Sequence, residues 1–567
     1  MEIAELARKY AVKNAVDYGK AIPGPIISKL MSTPGAKIEE MSKIASEASQ
    51  WANSLSLEQM QAEYSKYSQE FDEEKKVKTE KTAKPKMELP GATRGNFHTR
   101  FAPGPSGYAH IGHAKAALLA SAFAEIYEGK ISLYFDDSNP EVGKQEYVDA
   151  FRSDMKWLGI KFSDEYYASD NIPKIYEYAK QLLTNGNAYA CSCSAEEMKE
   201  KRMKGVACGH SAQTPTENLA IFKQMLSEDL EEGDTVIRFK GDIKSDNTAL
   251  RDPTILRIKK EDHYRQKDKY VVWPLYDFNT PINDYLHGIT DVIRSKEYEL
   301  RNPLYYMIMD ALNLPKPRIH LEARLTIKNN LPSKRYQRIY IEQGLLSGYD
   351  DPRLVTISAL RRREVRPAAI KEFVLRFGMS KVDSVVDISM LLDENKKLVD
   401  PEAKRLYYVE NPVKVVVEGA HTQTVDLKLH PSANMGKRSY KVDDTFYISG
   451  ADAQALSPGT IFKLKGLISV RVKSYEKDVI MGALTEEDSK LKFQWVPEKH
   501  ALACQVIMPK PPLKEDGEFD RESLPISNGY IEDYASKLKE KEVVQLERFG
   551  FSVLDNKSKM SFVFMTK

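Results

Sequence analysis

Two histidines three residues apart, His110 and His113, stand at the start of an alanine-rich segment in the run RFAPGPSGYAHIGHAKAALLASAFAEIY. The first amides of a helix and the helix dipole favour an anion. Gly112, between the two histidines, has no Cβ, so a flat ligand can approach the backbone there. Two imidazoles at this place can donate hydrogen bonds to charge that develops on a phosphate oxygen. The alternative is a pair of histidines on an amphipathic helix with no part in chemistry.

A second group of chemically active residues combines three of the four cysteines with a histidine. The spacing is Cys-x-Cys, then fourteen residues, then Cys-x-His. Four nitrogen and sulfur ligands in two close pairs are typical of a tetrahedral Zn²⁺ site. The candidate ligands are Cys191, Cys193, Cys208 and His210. Free thiols in a reduced cytoplasm are the alternative, and Cys504, alone in a predicted strand, is expected to be a core residue.

A third candidate is a basic stretch between residues 353 and 376, which contains Arg361, Arg362 and Arg363. The net charge of the whole chain is only +2, so any surface that binds a polyanion must be a local patch. A basic helical patch fits contacts with the phosphates of an RNA stem. A solvated helix face is the alternative.

Length and composition limit the elements that can position these residues. A chain of 567 residues is too long for one core, and about three to five domains are expected. No run of 18 apolar residues occurs, which excludes a membrane-spanning helix. The clustering of the cysteines argues against a disulfide framework and indicates a reducing compartment, so we expect a cytoplasmic protein.

The N-terminal half divides by composition and periodicity. Residues 1–70 carry apolar residues at helical spacing, which predicts a helical N-terminal extension. Residues 71–96 are charged and contain Pro and Gly, which predicts a linker. In residues 97–330 strands alternate with helices, and this order predicts an α/β domain built on a parallel sheet.

The remaining boundaries follow from changes in this pattern. Residues 171–270 break the alternation and are predicted to form an inserted domain. Residues 331–408 are predicted to comprise a loop, LPSKR, and a helical region from about residue 336 onward. Residues 409–567 contain short, frequent segments of period-two alternation, which predict antiparallel barrels or sandwiches.

Several ordered blocks of the sequence together resemble one family. The blocks are RFAPGPSGYAHIGHAK followed by YFDDSNP, then WPLYDFNTPINDYLHGITDVIRSKEY, then LPSKR at 331–335, then GYDDPRLVTISALRRREVRPAAI. They resemble class I aminoacyl-tRNA synthetases of the glutamyl/glutaminyl branch, and the resemblance runs from about residue 97 to the C-terminus. The β-rich C-terminal region is similar to that of the archaeal and eukaryotic glutamyl enzymes, whereas bacterial ones have a helical region there.

The resemblance implies a Rossmann-like class I catalytic domain that forms glutamyl-adenylate from glutamate and ATP, with Mg²⁺, and transfers the glutamyl group to tRNA-Glu. By position, His110 and His113 would stabilise the α-phosphate transition state, and Gly112 would lie against ATP. Ser333 and Lys334 would bind the pyrophosphate. In the signature lysine loop, Leu331 and Pro332 depart from the family pattern, as does Tyr134, which stands in place of an arginine in YFDD.

The same comparison assigns the amino-acid pocket. Arg100 would bind the α-carboxylate, Asp136 the α-ammonium, and Tyr276 would form part of the wall. Arg294 would meet the γ-carboxylate, because glutamyl enzymes have an arginine there and glutaminyl enzymes typically do not. A glutaminyl enzyme, a catalytically silent RNA-binding paralogue and a nucleotidyltransferase of the same superfamily are the alternatives.

The resemblance also implies where tRNA binds. The insert would hold the acceptor end and carry the zinc site. The helical region with Arg361, Arg362 and Arg363 would contact the stem, and Arg405, six residues before Asn411-Pro412, would reach the anticodon. The C-terminal region would form two anticodon-binding barrels. We expect a monomer; the sequence leaves open whether tRNA-Gln is also charged, which protein partners exist, and what the N-terminal extension does.

Overall fold

The computed structural model describes residues 3–31, 38–68, 70–71, 87–331, 333–476 and 479–567. The chain divides into two compact units, Met1–Lys84 and Pro85–Lys567. Most of the linker predicted at 71–96, namely residues 72–86, lies outside the described residues, and so does Pro332.

The first unit is helical, which agrees with the predicted N-terminal extension. Its interior consists largely of alanines such as Ala7, Ala11, Ala45 and Ala52, whose small side chains let the helices approach one another closely. The side-chain amide of Asn53 closes the packing by exchanging two hydrogen bonds with the backbone of Ala21, at 2.8 and 2.9 Å. The described helices are α1 (Ile3–Tyr18), α2 (Pro23–Leu30), α3 (Ile38–Ser54) and α4 (Leu57–Ser65).

The second unit begins with alternating strands and helices. The first three strands pair in parallel, so the helices between them must cross over the sheet. The elements are β1 (His98–Phe101), α5 (Ile111–Ile126), β2 (Lys130–Phe135), α6 (Gln145–Trp157) and β3 (Asp164–Tyr167). The predicted α/β domain with a parallel sheet is therefore confirmed.

An insert with a different pairing pattern follows. Its four-stranded sheet is antiparallel throughout, in the order β4-β5-β6-β7. The last strand ends at Pro274, beyond the boundary at 270 that the sequence predicts, because Trp273 is fully buried in the core of the insert. The elements are α7 (Ile172–Thr184), β4 (Ala188–Cys191), α8 (Ala195–Lys204), α9 (Pro215–Leu226), β5 (Val236–Phe239), β6 (Thr254–Ile258) and β7 (Val272–Pro274).

The chain then returns to the parallel arrangement. The backbone N–H of Thr290 donates to the carbonyl of His98 at 2.9 Å, which places β8 beside β1, and β8 pairs in parallel with β9. Arg100 on β1 and Arg294 on β8 thus come from neighbouring strands. The elements are α10 (Tyr276–Leu286), β8 (Asp291–Ser295), α11 (Asn302–Ala311), β9 (Arg318–Glu322) and β10 (Leu325–Ile327).

The predicted helical region connects the catalytic domain to the C-terminal sheets. Its strand β11 pairs in parallel with β10, so the region is anchored in the catalytic domain. The elements are α12 (Lys334–Glu342), α13 (Ile357–Arg362), α14 (Pro367–Leu375), β11 (Ser384–Val386) and α15 (Ser389–Val399).

Two seven-stranded sheets and one two-stranded sheet, β15-β16, form the C-terminal region among the described residues. The larger sheets have the orders β12-β25-β26-β27-β23-β24-β13 and β21-β18-β19-β20-β14-β17-β22. Antiparallel pairs dominate, as predicted, but each of the larger sheets also contains two parallel pairs. Period-two burial along β14, where Val415 and Val417 face the core, accounts for the sequence pattern.

The first of the two large C-terminal sheets contains β12, β13 and the strands from β23 to β27. The strands of the second large sheet lie between β13 and β23 in the sequence. The elements are β12 (Lys404–Leu406), β13 (Tyr408–Glu410), β14 (Val413–Glu418), β15 (Gln423–Lys428), β16 (Lys437–Val442), β17 (Thr445–Ile448), α16 (Gly450–Gln454), β18 (Ile461–Leu464), β19 (Ser469–Glu476), β20 (Val479–Thr485), β21 (Lys492–Phe493), β22 (Val496–Pro497), β23 (Ala501–Ile507), β24 (Ile526–Glu532), β25 (Val543–Leu546), β26 (Gly550–Asn556) and β27 (Ser561–Thr566).

Candidate active site and metal centre

The two histidines cap the N-terminus of α5. The Nδ1 atom of His110 accepts the backbone N–H of Gly112 at 3.1 Å, and Nδ1 of His113 accepts the backbone N–H of His110 at 3.2 Å. Because both Nδ1 atoms act as acceptors, each neutral ring carries its proton on Nε2. The rings are 3.9 Å apart between centroids. The cap therefore leaves two Nε2–H donors side by side.

Burial keeps these imidazoles neutral. Burial, together with the nearby positive charges of Lys334 and Arg324, lowers the pKa of His110 to about 4. Burial, together with His110 and Lys334, holds the pKa of His113 well below its usual value. At pH 7 both rings are uncharged hydrogen-bond donors.

Gly112 makes this arrangement possible. A Cβ at this position would lie 2.9 Å from Cε1 of His110, which is closer than real side chains approach. The glycine thus allows the His110 ring to fold back over the first turn of α5.

Lys334, far away in the sequence, lies beside the histidine pair. Its alkyl chain packs so closely on Gly107 that a Cβ there would lie 2.8 Å from Cδ of the lysine. Its ammonium group lies 5.6 Å from the ring centroid of Phe151. Burial lowers the pKa of Lys334 to about 8. Ser333, immediately before it, is exposed and precedes the first turn of α12.

A hairpin-like segment between β23 and β24 holds the loop that precedes Lys334. The backbone N–H of Leu513 donates to the carbonyl of Asn329 at 3.1 Å, and Lys328 pairs with Glu515 at 2.8 Å. Leu331 lies in a small apolar cluster with Leu513 and Phe519. The position of the lysine loop therefore depends on a segment of the C-terminal sheets.

The histidines and the pocket arginines face one cleft of about 490 Å³. It lies at the carboxyl ends of β1 and β8, where open parallel sheets bind their ligands. Lys334 and Asp136 are outside its lining in this conformation. The predicted site residues that line it are Arg100, His110, Gly112, His113, Tyr276, Arg294 and Ser333.

Arg100 is held by a carboxylate that the sequence analysis did not single out. Its Nε and Nη2 donate to Asp284 at 2.7 and 3.2 Å, and its Nη1 donates to the carbonyl of Ile293 at 3.3 Å. A guanidinium has five N–H groups, so two of them stay available to a ligand. Arg100 is only 3% exposed, and Asp284 is fully buried.

Arg294 is fixed by an amide and two aromatic rings. Nε and Nη2 both donate to the side-chain oxygen of Asn302, the former at 3.1 Å, and Nη1 approaches the hydroxyl of Tyr276 at 3.5 Å. Its guanidinium carbon lies 5.3 Å from the ring centroid of Tyr305 and 5.7 Å from that of Tyr298. This guanidinium has no carboxylate partner among the described residues, so its charge is directed at the cleft.

Asp136 lies beside the cleft and accepts hydrogen bonds from Asn279 at 2.8 Å and from Ser138 at 3.0 Å. Burial raises its pKa to about 6, so it is ionised at pH 7. The same Asn279 amide donates to the hydroxyl of Tyr134 at 2.8 Å, and the Tyr134 ring stacks on Tyr166. These contacts account for the tyrosine that departs from the family pattern.

The candidate metal ligands converge. One ligand atom from each of Cys191, Cys193, Cys208 and His210 lies within 4.8 Å of all the others. The sulfurs of Cys191 and Cys208 are 3.7 Å apart, and Nδ1 of His210 is 3.5 Å from the sulfur of Cys193. A tetrahedral Zn²⁺ with ordinary bond lengths requires edges of about 3.8 Å between two sulfurs and about 3.6 Å between sulfur and nitrogen. These two separations match such a tetrahedron and the others are no longer than 4.8 Å, so the cluster can hold one metal ion.

The three consecutive arginines point to three different parts of the molecule. Arg361 contacts Asp154 of α6 at 3.4 Å, and Arg362 forms a fork with Asp555 of β26 at 3.0 and 2.7 Å. Arg363 is 5% exposed and donates to the carbonyls of Met565 and Pro352, at 3.0 and 3.4 Å. Burial lowers its pKa to about 10.

This geometry corrects part of the predicted RNA surface. Arg361 and Arg362 are partly exposed, whereas the guanidinium of Arg363 is inside the protein and has no surface to offer a phosphate. Arg405 is also buried, and its Nη1 and Nη2 donate to the carbonyl of Ala403 and to Asp400, at 3.1 and 2.5 Å.

Family models match the chain in three successive parts. A model described as the catalytic domain of class I tRNA synthetases (E and Q) covers residues 96–400. Two models described as anticodon-binding domains of the same enzymes cover residues 403–493 and 492–555.

The chain is 37% identical to a glutamate–tRNA ligase of Nitrosopumilus maritimus over 99% of each chain. It is 36% identical to one of Pyrococcus furiosus over 98% of each chain, and 35% identical to one of Cenarchaeum symbiosum over 97% of each chain. The chain belongs to the class I tRNA synthetases of the glutamate and glutamine branch. The resemblance inferred from the motifs is thus confirmed, and the two seven-stranded sheets correspond to the anticodon-binding domains of this family.

Several residues of this synthetase site escape the sequence analysis. Asp284 and Asn302 fix the two pocket arginines, and Lys115 forms a buried 3.0 Å ion pair with Glu322 in the cleft wall. Lys115 could have been singled out from the sequence, because it is a lysine inside an otherwise apolar stretch of α5. Asp284, Asn302 and Glu322 had no such signal, since single polar residues on helices and strands are common. No helix in the described part of the chain is both long and apolar enough to span a membrane.

The close approach at Gly112 leads to a test. Gly112→Ala should push the His110 ring away from the cleft and slow ATP–pyrophosphate exchange about 10- to 100-fold, the effect of a small misplacement of a catalytic group. The melting temperature should change little, because the better helix propensity of alanine offsets the loss of the His110 cap hydrogen bond. Gly24→Ala is the control, since Gly24 lies in helix α2 and a Cβ there meets nothing within 4 Å. Full activity of Gly112→Ala would show that the position of His110 does not matter.

Proposed function

We propose that the chain is a glutamate–tRNA ligase, which activates glutamate with ATP and transfers the glutamyl group to the 3′ end of tRNA-Glu. The observation that carries the proposal is the single cleft in which the capped histidine pair meets Arg294, with Lys334 beside it. The nearly full-length similarity to glutamate–tRNA ligases supports it. A catalytically silent RNA-binding paralogue would not need the histidine pair, Arg294 and Lys334 to lie close together.

In the proposed reaction the protein mainly stabilises charge. The Nε2–H groups of His110 and His113 donate to the α-phosphate oxygens as their negative charge grows, and the neutral state of the rings makes them donors without proton transfer. Gly112 lets the nucleotide approach α5. Lys334 and Ser333 bind the departing pyrophosphate. Mg²⁺ bound with ATP would neutralise charge on the phosphates.

The amino-acid side of the cleft binds the two α-substituents of glutamate. The free N–H groups of Arg100 would meet the α-carboxylate, while Asp284 balances the remaining charge of this arginine. The ionised carboxylate of Asp136 would pair with the α-ammonium, and Tyr276 limits the space beside it. Each group is held by protein contacts before glutamate arrives, which reduces the cost of ordering it.

Arg294 selects the side chain. Glutamate and glutamine have nearly the same shape, but only glutamate brings a carboxylate to a guanidinium that otherwise has no anion. Glutamine would present an amide N–H₂ to a buried cation. The glutaminyl enzyme is therefore the disfavoured alternative.

We also propose that Cys191, Cys193, Cys208 and His210 hold one structural Zn²⁺. The fit of their separations to a tetrahedron supports this assignment. Nε2 of His210 bonds the hydroxyl of Ser192 at 3.0 Å, which leaves Nδ1 free for the metal. The ion would fix the loop after β4 to the segment before α9, and one zinc ion per chain is expected in the purified protein.

For tRNA we propose contacts from the partly exposed Arg361 and Arg362 to the stem, with the insert at the acceptor end. Arg363 and Arg405 would act by shaping the backbone near these surfaces, because their guanidinium groups are buried. Whether tRNA-Gln is also charged stays open. None of the four cysteines is in a disulfide, and we propose a monomer that works in the cytoplasm, where cysteines stay reduced.

Assays with purified tRNAs test the proposed function. The protein should support ATP–pyrophosphate exchange with glutamate in the presence of tRNA-Glu and should charge that tRNA, with little use of glutamine. Exchange without tRNA is expected to be weak in this branch. Charging by glutamine alone would identify a glutaminyl enzyme, and silence with both amino acids and both tRNAs would identify the paralogue.

The lowered pKa of Lys334 predicts a pH dependence. Because its pKa is about 8, the ammonium is charged below pH 8 and loses its charge as the pH rises through that value. The kcat/KM for ATP, which reports the free enzyme, should therefore fall above about pH 8. Lys334→Ala should be poorly active and should lack this alkaline limb. An unchanged limb in the variant would assign the ionisation to another group.

Charge selection by Arg294 can be tested by making the pocket neutral. Arg294→Cys should lower kcat/KM for glutamate by about 100-fold or more, the usual effect of losing one partner of a buried charge pair. The ratio of kcat/KM for glutamate to kcat/KM for glutamine should also decrease. Arg301→Cys is the control, because this nearby arginine is 46% exposed and pairs with Asp277. A wild-type preference in Arg294→Cys would remove Arg294 as the discriminating residue.

A further inference from the structure

Arg238 is buried beside the cysteine cluster, and neither the motifs nor the proposed chemistry accounts for it. It lies on β5 and is 1% exposed. Its Nε donates to the carbonyl of Asp252 at 2.8 Å, and its guanidinium carbon lies 5.5 Å from the ring centroid of Tyr189. A guanidinium stays charged under all ordinary conditions, so the fold places a permanent positive charge in the interior of the insert.

The nearest candidates for its counter-ion are sulfurs. Nη1 of Arg238 donates to Sγ of Cys191 at 3.8 Å and to Sγ of Cys208 at 3.7 Å. No carboxylate oxygen of the described residues lies within 4.0 Å of its nitrogens, and Nη2 has no hydrogen-bond partner there. The carboxylate of Asp252 is occupied by the hydroxyl of Tyr189 at 2.9 Å and the N–H of Gly241 at 3.0 Å.

A buried cation is stable only where negative charge offsets it, and the carboxylate of Asp252, which is committed to Tyr189 and Gly241, supplies part of that charge. Cysteines bind a metal as thiolates, and three thiolates with one divalent ion and a neutral histidine carry a net charge of −1. Arg238 supplies the opposite charge from inside the protein. Lys201, whose Nζ is 3.7 Å from Sγ of Cys193, adds a second positive group at the edge of the cluster.

We propose that Arg238 is the counter-charge and positioning residue of the metal centre. It holds Cys191 and Cys208 at the separation the metal needs and compensates the negative charge of the occupied site. The inference deepens the proposed zinc assignment and depends on it. The planar fork explains the choice of arginine, because a lysine ammonium cannot reach two sulfurs and the carbonyl of Asp252 in one plane.

The test compares two substitutions at Arg238 with a matched control in the full-length protein. Arg238→Met removes the charge and keeps much of the volume, and Arg238→Lys keeps the charge. Arg251→Met is the control, because Arg251 lies in the same insert and donates to the carbonyls of Ser245, Arg202 and Met203 instead of sulfurs. Zinc content is measured by elemental analysis, and the zinc Kd by competition with a chelator.

Arg238→Met should weaken zinc binding about 10- to 100-fold, which is the usual effect of removing a group that supports metal ligands. Arg238→Lys should recover part of the loss, and Arg251→Met should bind zinc like the wild type. Cobalt substituted for zinc should give an altered sulfur-to-metal charge-transfer band in Arg238→Met, which a loss of packing elsewhere would not produce.

The outcomes separate this proposal from the zinc assignment. A wild-type protein that neither contains nor binds zinc refutes the metal centre itself. A wild-type protein that binds zinc, with a folded Arg238→Met of equal affinity and an unchanged cobalt spectrum, refutes only the role of Arg238. If Arg238→Met does not fold, Arg238→Lys decides: a Kd within about tenfold of wild type supports the charge role, and a loss of more than about tenfold overturns it.

Discussion

The capped N-terminus of α5 is the constraint on which the rest of the site depends. The backbone N–H groups of His110 and Gly112 occupy the Nδ1 atoms of the two histidines, and this leaves both Nε2–H groups as donors. The cap requires a glycine at 112 and a buried, apolar setting that keeps the rings neutral. The cleft, the lysine loop and the pocket arginines are arranged around these two donors.

Buried arginines hold the surrounding parts in place, each through a different kind of acceptor. Arg100 uses the carboxylate of Asp284, Arg294 uses the amide of Asn302, Arg363 uses backbone carbonyls, and Arg238 uses sulfurs. The acceptor decides what the charge can do. Arg100, whose charge a carboxylate already balances, offers a substrate only its remaining N–H groups, whereas Arg294, which has only neutral partners, also offers an uncompensated charge to a substrate carboxylate.

The C-terminal sheets reach the active site through short contacts with the catalytic domain. Arg362 and Arg363 tie α13 to β26 and β27, and the segment between β23 and β24 carries Leu513 and Glu515 to the loop before Lys334. Since Lys334 influences the pKa of both histidines, a displacement of that loop changes the electrostatics of the donors as well as the pyrophosphate site.

The sequence by itself determined the α/β class, the family, the histidine pair, the lysine loop and the cysteine cluster. These features depend on residue types at short spacing, and local patterns record such spacing directly. The tertiary structure alone decided that the insert runs to Pro274, that Tyr134 bonds Asn279, and that Arg363 faces inward while Arg361 stays partly exposed. Burial and hydrogen-bond partners depend on residues far apart in the chain. Adjacent arginines are therefore indistinguishable in the sequence, and only the fold determines whether an aspartate, a carbonyl or solvent contacts each of them.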